Sequence, residues 1–230
     1  MAQELGKLEK PTAESFGSRR KLLFIPLILS APQPEPELLE KVLKYWDEVD
    51  AQIANLESKL GPVKQVYHEL IPAGGEEGCK AIEELSSSTY QIVQARLDKG
   101  AAIQGIEDVD SLTEFMDWSR CLAVGLQNQK VIARVLESYS EARARRNQTI
   151  ARKIDETLKE GDVGILLMRE GHELQFPPDI EVFYVAPPRL DEIKRWVRER
   201  EEQLQAQFDK ESRRQSEGDG QPDNSLHSPG

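Results

Sequence analysis

Cysteine and histidine are scarce in this chain of 230 residues, which has 2 cysteines and 3 histidines. Cys79 and Cys121 lie far apart with no CxxC spacing, so the sequence indicates neither a disulfide framework nor a thiolate zinc site. We expect both cysteines to be small buried residues. A low cysteine content is typical of the reducing cytoplasm, and we expect a cytoplasmic protein.

Long apolar segments are also missing. The longest run, residues 22–29, contains Pro26 and is less than half of the roughly 18 residues that a membrane-spanning helix requires. No small-residue cleavage site of the kind that ends a signal peptide follows it. We therefore interpret the run as a buried strand and expect no membrane span.

Positive charge is in deficit, because 41 Asp and Glu residues face 30 Lys and Arg residues and the formal net charge is −11. The average field of such a chain repels a phosphate backbone, so we expect no nucleic-acid partner. The sequence has no GxGxxG, Walker loop, GxSxG or HExxH motif. The common dinucleotide-binding, nucleotide-hydrolysing, serine-hydrolase and zinc-protease classes are therefore not indicated.

Both ends of the chain are polar. Residues 1–19 have no apolar period, and residues 215–230 consist largely of Ser, Gly, Pro, Asp and Asn. Neither segment can bury enough apolar surface to offset the entropy of ordering, so we predict two flexible tails that are dispensable for folding. Residues 20–214 then form one domain of ordinary size.

Within that domain, short apolar runs alternate with long amphipathic stretches. This alternation predicts an α/β fold with a mainly parallel sheet of about five strands flanked by long helices, since parallel neighbours need a crossover connection. Pro26 lacks a backbone donor, so we expect the first strand at a sheet edge or a bulge. The predicted strands span 21–29, 62–71, 101–107, 162–168 and 180–185, and the predicted helices span 35–60, 76–99, 110–159 with a break near 125–129, and 190–214.

The first predicted helix has the clearest apolar stripe in the chain. Its apolar residues recur at alternating spacings of three and four, at Leu39, Val42, Trp46, Val49, Ile53, Leu56 and Leu60. Such a stripe most often packs on a sheet, which would place Trp46 in the core. The alternative is a homo-oligomer contact through this helix between Leu39 and Leu60.

Polar side chains follow three of the predicted strands. Glu69, Glu107 and His172 come at or just beyond the ends of the second, third and fourth strands. The carboxyl ends of parallel strands meet at one edge of a sheet, so we expect these residues to face one crevice. Two carboxylates and an imidazole can perform acid/base catalysis or bind a divalent metal. The sequence suggests a divalent metal as a cofactor and indicates no other. The alternative is that they are solvated strand ends.

Basic residues are concentrated between residues 143 and 153, in an otherwise acidic protein. Arg143 and Arg146 are three residues apart and share one face of the predicted helix. One of these arginines could point at an anionic ligand. The alternative is a solvated helix face paired with the neighbouring acidic residues.

Residues 143–185 resemble the C-terminal half of the TraB/Tiki/ChaN/erythromycin-esterase-like superfamily. In that family an Arg-Asn or Arg-Asp helix precedes a further helix, an apolar strand and a Gly-His loop, and the similar elements here are Arg146-Asn147, residues 150–158, residues 164–168 and Gly171-His172. Glu69 and Glu107 are similar to the acidic residues that the family places after its second and third strands.

The resemblance implies a metal-dependent hydrolase with Glu69, Glu107 and His172 as catalytic and metal-binding residues, and with Arg146 and Asn147 as substrate-binding residues. Its hydrolytic members carry a further histidine after the first strand, where this chain has none, and Arg169 replaces a small residue. The alternative is therefore a non-catalytic protein of the same fold that binds a small molecule, a peptide or another protein.

Overall fold

A computed structural model describes residues 18–28 and 34–218, with side chains to residue 210. Its centre is a five-stranded sheet in the order β3-β2-β4-β1-β5, and every neighbouring pair is parallel. The α/β fold with a parallel sheet is therefore confirmed. The strands are β1 (Arg20–Pro26), β2 (Val63–His68), β3 (Ala102–Gln104), β4 (Val163–Met168) and β5 (Ile180–Tyr184).

Six helices connect and cover these strands. They are α1 (Pro36–Leu60), α2 (Gly75–Leu85), α3 (Ser87–Leu97), α4 (Val109–Ala123), α5 (Gln129–Thr157) and α6 (Arg189–Gly218). The predicted tails, residues 1–19 and 215–230, fall largely outside the described residues. Helix α6, however, continues to Gly218, past the boundary at residue 214 that composition suggested.

Successive residues of the buried strands point to opposite faces of the sheet and form two hydrophobic clusters. In β1, Leu23 and Ile25 belong to the cluster on the face covered by α1, α2, α3 and α6. Leu22 and Phe24 belong to the cluster on the other face, which α5 covers. Burial on both faces explains why β1 and β4 are continuous apolar runs rather than alternating ones.

The apolar stripe of α1 packs on the sheet, because Val42, Trp46, Val49 and Ile53 are all buried in the first cluster. Leu39 is exposed. The homo-oligomer contact that we considered for this helix remains untested, and the central residues of its stripe are already covered within the chain.

Three local predictions need correction. Strand β1 is not at an edge but lies between β4 and β5. It tolerates Pro26 because the backbone nitrogen of Pro26 faces the side of β5, and β5 ends before it reaches Pro26. The predicted helix 76–99 is two helices, since Ser86 adopts an extended conformation and caps α3 through the N–H of Thr89. The helix predicted from residue 110 begins at Val109, because the side chain of Asp108 caps α4 by accepting from the N–H of Ser111 at 2.9 Å.

Cys79 and Cys121 are partly exposed rather than buried. Among the helices of the described residues, none combines the length and the apolar character that crossing a membrane would require.

Candidate functional site

A cleft of about 440 Å³ lies at the carboxyl ends of β2 and β4, between α4, α5 and the loop that follows β4. This is the edge of a parallel sheet where ligand crevices form. Its lining includes four arginines and two glutamates, in contrast to the acidic balance of the whole chain. The polar lining residues are Glu69, Ser119, Arg120, Arg143, Arg146, Asn147, Arg169, Glu170 and His172, and the larger apolar or aromatic ones are Phe115, Met116, Tyr139 and Met168.

Glu69 follows the last residue of β2 and is only 2% exposed. Its carboxylate accepts hydrogen bonds from the backbone N–H of Arg169 (2.8 Å), from Nε and Nη2 of Arg169, and from Nη2 of Arg146 (3.2 Å). Burial acts to raise the pKa of Glu69, but the hydrogen bonds and charge of Arg169 and the charge of Arg146 lower it overall. Glu69 is therefore an ionised and fully engaged carboxylate.

Glu107 is buried, pairs with Arg146 and does not itself line the cleft. Gly105 allows the chain after β3 to reach this place, because a Cβ there would meet the carbonyl oxygen of Pro72 at 2.1 Å. Lys153 of α5 donates to the backbone oxygen of Glu107 at 2.6 Å. The N–H of Leu70, a residue held at a φ of 71°, donates to Oε1 of the Glu107 side chain at 3.1 Å. Contacts from β2 and α5 thus fix Glu107 in place.

Arg146 joins the two buried carboxylates and is itself 3% exposed. Its Nε donates to Oε2 of Glu107 at 3.0 Å, and its Nη2 contacts both Glu107 and Glu69. The guanidinium carbon lies 4.7 Å from the centre of the Phe115 ring, which packs against it from α4. The charge of Arg146 is therefore balanced and its orientation is fixed from several sides.

One amino group of Arg146 remains available. Nη1 of Arg146 forms no hydrogen bond with any described residue, and it is not among the polar atoms that are buried without a partner. Since Arg146 lines the cleft, Nη1 is the donor that it has left for a ligand there. Arg169 has the same property, because Glu69 engages its Nε and Nη2 and leaves Nη1 without an acceptor in the described chain.

His172 lies in the loop after β4, with its ring 4.5 Å from that of Phe24. Its Nδ1 accepts the N–H of Leu174 at 3.2 Å. Burial lowers the pKa of His172, and the nearby charge of Glu69 opposes this only in part. At neutral pH the ring is therefore uncharged, and with Nδ1 acting as an acceptor the proton is assigned to Nε2.

The structure brings most of the predicted site residues together, but in different roles. One cleft is lined by Glu69, Arg146, Asn147 and His172. Glu107 does not line the cleft but accepts a hydrogen bond from Arg146. No group of three His, Cys, Asp or Glu side chains in the described part of the chain could hold a metal ion. The carboxylates of Glu69 and Glu107 bind guanidinium groups instead, so the metal site that we hypothesised on Glu69, Glu107 and His172 does not fit this arrangement.

Sequence reasoning missed Arg169 as a site residue and interpreted it only as a departure from a family pattern. The signal was present, because Arg169 directly follows an apolar strand, as Glu69 does. Of the basic run, Arg146 is buried, whereas Arg145 and Arg152 form exposed pairs with Glu114 and Glu156. The interpretation as a solvated helix face is confirmed for Arg152, and the interpretation that one arginine points at an anionic ligand stays a prediction.

No protein-family profile, curated protein or solved structure matches this chain.

Proposed function

We propose that this protein binds a small anionic molecule in the cleft at the carboxyl ends of β2 and β4. The observation that carries the proposal is the pair of donors that two lining residues of the cleft leave unpaired. The carboxylates of Glu69 and Glu107 are occupied by arginines, while Nη1 of Arg146 and Nη1 of Arg169 have no acceptor among the described residues. The donors available to a ligand are therefore cationic, and their natural partner is an oxyanion.

The carboxylates make this arrangement rigid. Nη2 of Arg146 and Nη2 of Arg169 both contact Oε1 of Glu69, at 3.2 and 2.8 Å. The two guanidinium groups are thus held on either side of one carboxylate before any ligand arrives. Ligand binding then costs little side-chain entropy, which is the advantage of a preorganised site.

Titration of the full chain with inorganic phosphate and with acetate, at constant ionic strength, tests the proposal. We expect saturable heat of binding for at least one of these anions. The Arg169→Gln variant should weaken that binding by about tenfold or more, because it removes one charged donor from the cleft. Arg169 is half exposed, so this variant is expected to fold.

Arg152→Gln is the matched control. Arg152 lies on α5 but pairs with Glu156 at the surface and does not line the cleft. Its binding should equal that of the unmodified chain. Absence of saturable binding of either anion, or equal binding by the Arg169→Gln variant and the unmodified chain, would contradict the proposal.

Hydrolysis in the same cleft is the second candidate, because His172 lines it and the family resemblance implies a hydrolase. With Nδ1 engaged by Leu174, however, the neutral ring presents Nε2–H, which is a donor and not a general base. A catalytic role would require the ring to release Leu174 and change tautomer. Sustained turnover of a chromogenic lactone or peptide that the His172→Gln variant abolishes would support hydrolysis over binding alone.

A further inference from the structure

Asn147 is a second polar group that the fold leaves without a partner. It lies in the interior of α5, is 7% exposed, and its side-chain amide forms no hydrogen bond with the described residues. Buried polar groups almost always have partners, because an unpaired one costs roughly 1–3 kcal/mol. The amide of Asn147 is also absent from the polar atoms that are sealed away from solvent. It is therefore reached by solvent through the pockets that Asn147 lines, which are this cleft and a smaller one of about 240 Å³ between α5 and residues 173–175.

Helix propensity does not explain an asparagine here. Asparagine favours caps and turns over helix interiors, because its side chain competes for backbone groups. Its neighbours on the inner face of α5, Ala142, Ile150 and Ile154, are apolar core residues. An apolar residue at position 147 would have a higher helix propensity and would pack better in the core. Neither helix formation nor core packing therefore explains the amide.

We infer that the ligand of this cleft carries a neutral hydrogen-bonding group, a hydroxyl or an amide, close to its oxyanion, and that Asn147 binds that group. The inference rests on the proposed function and specifies its ligand class. Arg146 and Asn147 both line the cleft from α5, so this helix offers the ligand a charged and a neutral contact. The amide of Asn147 offers both a donor and an acceptor, which suits a hydroxyl that needs both.

The fitting ligand is therefore a hydroxylated oxyanion. The oxyanion could be the phosphate of a polyol phosphate or the carboxylate of a hydroxy acid, because guanidinium groups bind both. Nε2–H of His172 is a further neutral donor on the opposite wall, in the loop after β4. A bare anion would leave these neutral groups without partners.

Two pairs of probes test the inference on the full chain. Glycerol 3-phosphate is compared with propyl phosphate, and glycerate with propionate, at constant ionic strength. We expect the hydroxylated member of at least one pair to bind about tenfold more tightly, which corresponds to one well-made hydrogen bond in a desolvated site. The pair that shows the difference identifies the anion as phosphate or carboxylate.

In the Asn147→Leu variant the hydroxylated and the plain probe should bind with equal affinity, so the ratio within a probe pair should fall to about one. Asn147→Ala serves the same purpose if the leucine variant melts early, since alanine is the best helix former. The matched control is Gln148→Leu, which changes the adjacent residue on α5; Gln148 lines only the smaller pocket that Asn147 shares and not the cleft. This variant should keep the full preference.

Equal binding of the hydroxylated and plain probes by the unmodified chain, or a preference that survives in both Asn147 variants, would overturn the inference and leave the anion-binding function standing. If no probe binds at all, both proposals are wrong. The loss of plain-anion binding in Arg169→Gln thus reports on the proposed function, whereas the ratio within a probe pair reports on Asn147.

Discussion

Two arginines are buried among the residues whose side chains the structure describes, and their surroundings differ. Arg96 of α3 is 2% exposed and pairs with Asp50 and Glu57, which both lie on α1. Its Nη1 also donates to the backbone oxygen of Ile92 at 3.2 Å. Arg96 therefore fastens one helix to another. Arg146 is equally buried and equally paired, yet it forms part of a cleft wall.

The difference lies in the donor that each arginine has left over. The unpaired donor of Arg96 is Nε, which is sealed inside the protein. The unpaired donor of Arg146 is Nη1, which is not sealed in this way, and Arg146 lines the cleft. The partners differ as well, because Asp50 is half exposed whereas Glu69 and Glu107 are almost completely buried. Burial of an arginine alone thus does not distinguish the two sites, whereas the accessibility of its unpaired donor does.

The strongest test of this comparison removes each arginine in turn. Arg146→Met leaves Glu69 with Arg169 alone and leaves the buried Glu107 carboxylate without its charged partner. Such an uncompensated charge typically costs about 3–5 kcal/mol, so we expect a fall of that size in the free energy of unfolding. Urea denaturation at pH 7 measures it.

Arg96→Met is the matched substitution. Asp50 can turn to solvent, and Glu57 keeps a contact with Lys99 at 3.7 Å, so the cost should be smaller, about 1–3 kcal/mol. Phosphate or acetate binding should persist in this variant and disappear in Arg146→Met. Equal destabilisation by the two changes would mean that the burial of the partner carboxylates does not distinguish the two sites.

A second prediction concerns how the free energy of unfolding falls in acid, and it separates the contribution of His68 from that of the neighbouring Glu69. Burial lowers the pKa of His68 from its ordinary value of 6.5 to about 4. The unfolded chain therefore takes up a proton that the folded chain refuses, and the free energy of unfolding should fall by about 3 kcal/mol between pH 6.5 and pH 4. Chemical denaturation at several pH values follows this loss.

The stability that Glu69 contributes is lost at lower pH than the stability lost through His68. Its pKa is lowered by Arg169 and Arg146, so the stability it contributes is present above its ordinary value of 4.5 and is lost as the pH falls through its folded value. His68→Phe should remove most of the slope above pH 4.5 and leave the lower loss intact, with the remainder belonging to His172. A stability that is flat from pH 6.5 to pH 4.5 in the unmodified chain would show that His68 is not the sensitive group.

The smallest effect is expected at the surface of the same helix. Arg145 pairs with Glu114 at 2.7 Å, but both side chains are about half exposed. Exposed ion pairs contribute roughly 0–1 kcal/mol, so Arg145→Ala should change the free energy of unfolding by less than about 1 kcal/mol. Anion binding should be unchanged. A larger loss would show that the tie between α4 and α5 also positions Phe115 against Arg146.

Much of the fold could be predicted from the sequence, because the buried strands and the stripe of α1 follow simple periodicities. The errors lie where tertiary context decided. Pro26 fits an interior strand only because β5 ends beside it, and the length of β5 cannot be read from β1. The break at Ser86 is a different case, since a run of three serines with a capping side chain was visible in the sequence.

The site was only half predictable. The rule that ligands bind beyond the carboxyl ends of parallel strands correctly located Glu69 and His172, and shared helix faces correctly drew attention to Arg146. What the sequence could not show is pairing across 77 residues, between Arg146 and Glu69, or the use of Arg169 as a second clamp on the same carboxylate. Through those contacts the two carboxylates of the hypothesised metal site bind arginines instead.

The left-handed turn at Leu70 provides a spectroscopic probe of the ion pair between Glu107 and Arg146. Non-glycine residues rarely adopt such a φ, and here the N–H of Leu70 is held by the side chain of Glu107 rather than by a neighbouring strand. Hydrogen exchange of that single amide is therefore tied to the ion pair beneath the cleft and not to the ladder of the sheet. One backbone proton outside the cleft thus reports whether the charges below it are in place.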